Sequence, residues 1–437
     1  MMEREFKDSG IEWIGRIPKE WKTVPFKAYF STGKGLSFTK ADLTPSGKAV
    51  VSYGQIHSKQ NTGTRLDDFL IRFIPDSLTE NGESSRMNKG DFIFADTSED
   101  LEGCGNSVYV DRETELYAGY HSVTAKSKVQ QANKYFAYYF LTPCWRSQVR
   151  SRVTGIKVFS ISQSIINQTS IIVPPFTEQQ RIADYLDKKC GEIDELIALQ
   201  EQMIAQLTDY KQSVITEAVT KGLNPDVELV PSGIDWIGDV PKGWKVTRMK
   251  NIGDFQNGLT YTPYDVCGPE GVLVFRSSNI QNSRLCFDDN VFVKTAPTSL
   301  MVKKGDIIIC SRNGSAELIG KCAMVNQDLN ACFGAFMVRF RSKIENRYSF
   351  YLVSTVIPKY KQLFTTTTIN QLTKGMLSSM VGVLPPENEQ HAIATYLDTK
   401  CSEIDSLIAI KQQKIETLKD YKKSMIYECV TGKTDIV

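Results

Sequence analysis

The chain has 437 residues, too many for one ordinary domain and enough for two to four. Apolar residues make up 41% and charged residues 23%, the balance of a core-forming globular protein, and the apolar runs fall well short of a bilayer span. The net charge of +2 neither demands nor forbids a polyanionic partner; the charged start Met1–Asp8 has no apolar signal core, so a cytoplasmic address without membrane association is the expectation.

Residues 1–22 form an N-terminal segment containing SGIEWIGRIPKEWK at Ser9–Lys22. Residues 23–172 read as a first globular segment of short strands punctuated by Gly, Asn and Pro turns, with one amphipathic helix near Asn133–Leu141. Residues 173–222 read as one long helix. Pro174 and Pro175 precede Thr177, whose hydroxyl is expected to cap it, with Gln180 completing a capping box. A linker within 223–245 leads to SGIDWIGDVPKGWK at Ser232–Lys245. Residues 246–383 read as a second globular segment, with its helix near Asn346–Val353. Residues 384–433 read as a second long helix, entered through Pro385, Pro386 and Asn388.

The chain is therefore an internal duplication. The Ser9 and Ser232 segments are offset by 223 residues, the two long helices by 211, so the middle of the second unit is 12 residues shorter. Landmarks recur inside the middles: Gly35-Leu36 with Gly258-Leu259, Val51–Ile56 with Phe275–Ile280, and Lys89-Gly-Asp with Lys304-Gly-Asp. One α+β fold is used twice, with different residues on its loops. Positive charge gathers in the middles: Lys+Arg against Asp+Glu is 16 to 9 over 246–383 and 17 to 14 over 23–172. The helices 177–220 and 388–431 carry 4 to 9 and 6 to 7. That is a mild electrostatic footprint for a phosphate backbone.

Alternating steps of four and three along the first helix give Leu186, Cys190, Ile193, Ile197, Gln200, Ile204, Leu207, Lys211, Val214 and Ala218. The second gives Leu397, Cys401, Ile404, Ile408, Lys411, Ile415, Leu418, Lys422, Met425 and Cys429. Eight of ten positions are apolar in each, and the polar exceptions fall at the same places, which predicts a coiled-coil seam. About 44 residues at roughly 1.5 Å each make a rod of ~65 Å. A single apolar stripe of that length needs a partner, and the other copy supplies one.

Catalytic signatures are missing. Val173-Pro-Pro-Phe176 lacks the leading Asn or Asp of an adenine methyltransferase loop, and its repeat reads Leu384-Pro-Pro-Glu387. Gly432-Lys433-Thr434 has Tyr427 where a phosphate loop needs glycine. Pro75-Asp76 has no well-spaced acidic-x-Lys partner, and Asp96–Asp100 reads as a solvated acidic turn. The ten cysteines contain no Cys-x-x-Cys and read as buried reduced thiols. His57, His121 and His391 stand apart from other ligands, so no metal site is expected.

The ordered, duplicated pair of motifs, Ser-Gly-Ile-x-Trp-Ile-Gly-x-x-Pro-x-x-Trp and Pro-Pro-x-x-Glu-Gln…Tyr-Leu-Asp, resembles the specificity subunits of type I restriction–modification systems, over essentially the whole chain. The resemblance implies a non-catalytic subunit of α+β class with two α/β target recognition domains, 23–172 and 246–383. They would be separated by an antiparallel coiled coil of the two long helices in a pseudo-two-fold repeat. Each domain would read half of a split, asymmetric site in double-stranded DNA, and the helices would set the unread spacer. It also implies docking of two methyltransferase subunits and of restriction/translocase subunits. S-adenosylmethionine, ATP and Mg belong to those partners, and no cofactor belongs to this chain.

Reading bases needs amide, guanidinium and hydroxyl groups on loops that reach a groove. In the first domain the candidates are Lys34, Ser37, Tyr53, Gln55 and His57, with Arg152 and Lys157 near its end. In the second they are Gln256, Tyr261, Arg276, Ser277, Asn279 and Gln281, with Arg312, Asn313, Thr367, Asn370 and Gln371. Arg276 and Asn279 stand out because Arg pairs two-pronged with guanine and Asn with adenine. The alternative function is a free-standing coiled-coil scaffold whose globular heads bind protein.

Overall fold

The computed structural model describes residues 4–364 and 371–436. It divides into two units, one made of Met1–Glu201 with Gln413–Val437 and the other of Gln202–Gln412.

In the first unit, two four-stranded sheets enclose the core. One is antiparallel, in the order Phe30–Lys34, Ser122–Ser127, Phe92–Ala95, Ser107–Tyr109. The other runs Arg72–Ile74, Lys48–Val51, Leu116–Ala118, Arg86–Met87, with a parallel pairing of Leu116–Ala118 on Lys48–Val51. Phe92–Ala95 is buried along its whole length, as a strand covered on both faces must be. Phe26, Phe30, Phe92, Phe94, Phe140 and Trp145 pack edge and face in the core, with Phe26–Phe30 centroids 4.9 Å apart and Phe140–Trp145 4.7 Å apart. Asn133–Tyr139 and Pro143–Arg150 are separate helices, Pro143 opening the second.

The second unit repeats this plan. Its antiparallel sheet runs Gly253–Asn257, Met337–Ser342, Ile307–Cys310, Cys322–Met324, and its mixed sheet pairs Val272–Phe275 in parallel with Ala331–Phe333. Here the core is aliphatic, with Ile307, Ile309, Val338, Leu352 and Val356 buried beside Phe255 and Phe340. The helix expected near Asn346–Val353 extends to Asn346–Phe364, passing through Pro358 instead of stopping.

The repeated landmarks have physical reasons. Gly90 and Gly305 turn the chain at φ of +98° and +92° after Lys89 and Lys304, against the side chains of Asn133 and Asn346. The following acids close the turns: Asp91 accepts from the Asn88 N–H and Asp306 from the Lys303 N–H. Gly35 and Gly258 lie where a Cβ would strike the carbonyls of Gly119 and Gly334.

The long helices run Phe176–Lys221 and Glu387–Val430. The predicted Thr177 cap is corrected: the Pro175 carbonyl accepts from the Glu178 and Gln179 N–H groups, so Thr177 already lies inside the first turn. The next two residues dock the helix instead. In the first unit Glu178 accepts from the Trp21 indole at 2.8 Å, and Gln179 donates to the Pro174 carbonyl while accepting from the Ala132 N–H. In the second unit Glu389 and Gln390 repeat this with Trp244, Pro385 and Glu345. The motif aspartates accept from buried tyrosines, Tyr138 to Asp187 and Tyr351 to Asp398, each at 2.6 Å. Loss of solvent pushes both phenols far up, helped by the Asp187 carboxylate at Tyr138 and by the Cys401 thiol at Tyr351.

Each unit takes part of both helices. In the first, Leu186, Cys190 and Ile193 share a core with Met425, Ile426, Cys429 and Val430, and Lys422 pairs with Asp194 at 2.6 Å. In the second, Ile215, Ala218 and Val219 share a core with Leu397 and Cys401, and Lys211 pairs with Asp405 at 2.6 Å. Leu186, Ile193, Leu397, Ile404, Ile415 and Met425 are buried, and Ile197, Ile204, Leu207, Val214, Ile408 and Leu418 are half-buried. Burying each leucine fully stabilises by about 1.5–3 kcal/mol. All ten cysteines are free thiols, and eight are buried.

Candidate nucleic-acid interface

In the second unit an open cavity of about 1250 Å³ lies at one end of the two sheets. Tyr261, Arg276, Ser277, Arg312, Asn313 and Gln371 line it together, although they come from four separate stretches of chain. Arg312 follows the strand Ile307–Cys310, is exposed, and stacks over the Phe336 ring at 5.2 Å. A backbone bridge joins it to Gln371. Asn313 donates to the Ser277 hydroxyl at 2.9 Å and accepts from the Ser315 N–H, which fixes its carboxamide. Arg276 pairs with Asp289 at 2.8 Å, and its Nε is buried without a partner among the described residues.

Asn279 does not belong to this group. It is fully buried; its oxygen accepts from the Arg276 N–H, and its nitrogen donates to the Cys286 and Asp289 carbonyls. A base edge has nothing left to bond there. Gln256 lies on the strand Gly253–Asn257 and accepts from Arg339, and Gln281 is exposed on a hairpin; both lie outside the cavity. Thr367 and Asn370 lie outside the described residues. Sequence reasoning missed Phe336, an aromatic 58% exposed on the cavity rim, which single exposure on a strand-to-strand turn does not betray.

In the first unit a cavity of about 1570 Å³ brings together Tyr53 and His57 but not Lys34, Ser37, Gln55, Arg152 or Lys157. Lys34, Ser37, Arg152 and Lys157 are exposed elsewhere on the unit. The stretch Tyr53–Ile56 is a helical turn, and Gln55 closes it by accepting from the Ser52 N–H. Tyr53 packs on Tyr120 and His121. Both His57 nitrogens are engaged: Nδ1 faces the Asn106 amide at 3.1 Å and Nε2 faces the Thr97 carbonyl at 2.8 Å. With Asn106 donating to Nδ1, Nε2 donates to the Thr97 carbonyl. His121, on the cavity wall, holds a φ of +52°, rare for a residue with a side chain.

The same cavity is lined by cations that the sequence did not single out as DNA contacts, Lys59, Arg146, Arg150, Lys419, Lys422 and Lys423, and by Glu99, Asp100, Glu102 and Asp194. Apart from Lys59, in a turn, these cations lie on helices and look like an ordinary solvated face, so only folding reveals that they share a wall. Among the described residues no cluster of three metal-ligating side chains occurs, and no helix is long and apolar enough to cross a membrane.

The fold and site define a duplicated α+β protein with a polar, arginine-bearing cavity in each unit. Residues 18–209 and 241–420 each match the type I restriction modification DNA specificity domain, and the chain belongs to that family. It is 24% identical over 99% of its length, and 97% of the relative's, to the putative type I restriction enzyme MjaX specificity subunit of Methanocaldococcus jannaschii. The MjaVIII specificity subunit of the same organism is 25% identical over 73% of this chain and 76% of its own. A chain from a solved structure concerned with complex assembly and conformational transition of the type I R-M system superimposes with a TM-score of 0.72 at 17% identity, covering 96% of this chain and 99% of that one. This last likeness concerns the fold.

Proposed function

We propose that the chain is the DNA-reading subunit of a type I restriction–modification complex, each unit reading one half of a split, asymmetric site. The observation that carries this is the convergence of Arg276, Arg312, Asn313, Ser277, Tyr261 and Gln371 on one open cavity in a DNA specificity domain. Guanidinium, amide and hydroxyl groups are the donors and acceptors that distinguish base edges in the major groove. Tyr53 and the surrounding polar wall play the corresponding part in the first unit.

In this reading the long helices pair as an antiparallel coiled coil and fix the spacer between the half-sites. Support comes from equivalent ion pairs, Asp194–Lys422 in one unit and Asp405–Lys211 in the other, at the matching polar seam positions. The helices also dock two methyltransferase subunits. Exposed Leu196, Leu199 and Tyr421 in the first unit match Leu407, Ile410 and Tyr210 in the second, exposed apolar side chains repeated as two like partners require. S-adenosylmethionine, ATP and Mg act on those partners and on the restriction/translocase subunits.

The test is methylation mapping with the complete methyltransferase complex. Inserting seven residues into both helices should lengthen the spacer and keep both half-sites. Exchanging residues 246–383 for those of a relative should change one half-site only. Altered half-sites after the insertion, or two altered half-sites after the exchange, refute the assignment.

A further inference from the structure

The first unit holds two arginines without a counter-charge. Arg146 and Arg150 lie one turn apart on the helix Pro143–Arg150, both half-buried, both on the cavity wall. Neither forms an ion pair among the described residues; their only partners are backbone carbonyls. Arg146 donates to Phe140 at 3.1 Å and Glu102 at 3.4 Å, and Arg150 donates to the same Glu102 carbonyl at 2.7 Å. The Arg150 Nε is buried with no partner among the described residues. Two cations sharing a neutral acceptor in a partly desolvated wall repel each other. Burial, then the Arg150 charge, pushes the Arg146 guanidinium down to about 10. Such a pair gains most from an anion with several oxygens, because planar guanidinium forks match phosphate geometry.

The surroundings favour a phosphodiester over a small carboxylate. Lys419 and Lys423 of the second long helix line the same cavity. Among the described residues their only ion pairs are exposed ones, to Glu416 and Asp420 on their own helix, which bind weakly and yield readily to a better anion. Lys422 is committed to Asp194. At the equivalent positions of the first helix stand Thr208 and Gln212, so the two lysines have no cationic counterpart there. Glu99, Asp100 and Glu102 also line the cavity, yet none pairs with either arginine.

We propose that Arg146 and Arg150 seat one backbone phosphate of the DNA bound by the first unit, with Lys419 and Lys423 holding neighbouring phosphates. This rests on the DNA-reading assignment above. It makes the first unit the stronger sequence-independent anchor, leaving discrimination to other groups.

The experiment uses the assembled methyltransferase complex and duplexes in which single phosphates of the first half-site are replaced, one at a time, by neutral methylphosphonate. One replacement should weaken the unaltered protein about tenfold and add nothing further in Arg150→Gln, while Arg150→Lys restores part of the loss. Arg150→Gln should lower the salt slope of log Kd by about 0.9, and Lys419→Gln with Lys423→Gln by up to about 1.8. Preference among first half-site bases should stay as it was. A slope unchanged in Arg150→Gln, or no phosphate whose neutralisation couples to it, overturns the proposal while leaving DNA reading intact. Saturable binding of inorganic phosphate that depends on Arg150 without any such coupling makes this a free-phosphate site and overturns it too. A complex that binds no duplex at all refutes the DNA-reading assignment itself. The methylphosphonate series on the unaltered protein stands even if a variant misfolds.

Discussion

Replacing Arg312 by alanine separates reading from holding. The side chain is exposed and its backbone bridge to Gln371 survives truncation, so the fold loses little beyond the stack on Phe336, about 0.5–1 kcal/mol at an exposed site. A two-pronged arginine–guanine contact discriminates by about 1–3 kcal/mol, which is roughly 5- to 150-fold in Kd. Removing one charge also changes binding to any duplex, by a salt slope of about 0.9 at most. Competition binding with the assembled complex should therefore show a large loss on the cognate duplex and a small one on a duplex scrambled only in the second unit's half-site. Equal losses on both duplexes would mean that Arg312 contacts phosphate and reads nothing, and the argument from the cavity would fall with it.

Reversing one seam pair, Lys422→Glu, places like charges beside Asp194 and should cost about 0.5–1 kcal/mol, the range of part-exposed pairs; adding Asp194→Lys should recover it, as denaturant midpoints will report. Leu186→Ala and Leu397→Ala, at fully buried equivalent positions, should each cost about 3 kcal/mol by the same measurement; a loss under 1 kcal/mol in either would deny the helix docking described above. At pH 8 a thiol reagent should label Cys267 and Cys286 quickly and the eight buried cysteines only on unfolding. Burial raises the thiols of Cys190 and Cys322 to about 11 and of Cys429 to about 12. Because the folded thiols are harder to ionise, their contribution is intact below the unfolded value near 9 and is lost as pH rises above it. Stability should therefore fall from about pH 9 upward, and alkaline denaturation curves should steepen there.

What the sequence disclosed was whatever repeats or keeps a period: the duplication, the two long helices and the polar breaks at Lys211 and Lys422, which the structure fills with aspartates. What it hid depends on neighbours distant in the chain. Asn279 looks like an adenine reader until Cys286 and Asp289 close over it. Glu178 and Gln179 look like helix-start residues, yet their side chains hold Trp21 and the Ala132 amide. Arg146 and Arg150 gain meaning only when Glu102 and the second long helix meet them.

The division of the chain has a consequence for its synthesis. The unit that begins at the N-terminus needs Gln413–Val437, since Met425, Ile426, Cys429 and Val430 complete its core and Tyr135 donates to the Val430 carbonyl. The other unit is one uninterrupted stretch, Gln202–Gln412. At ~5–20 residues per second, the first-made segment waits on the order of 10–40 s for its missing helix while the later one closes beside the ribosome. The unit whose synthesis starts later should fold first. Its sibling spends that interval with an open apolar face, the window in which chaperones, or premature chain termination, decide its fate.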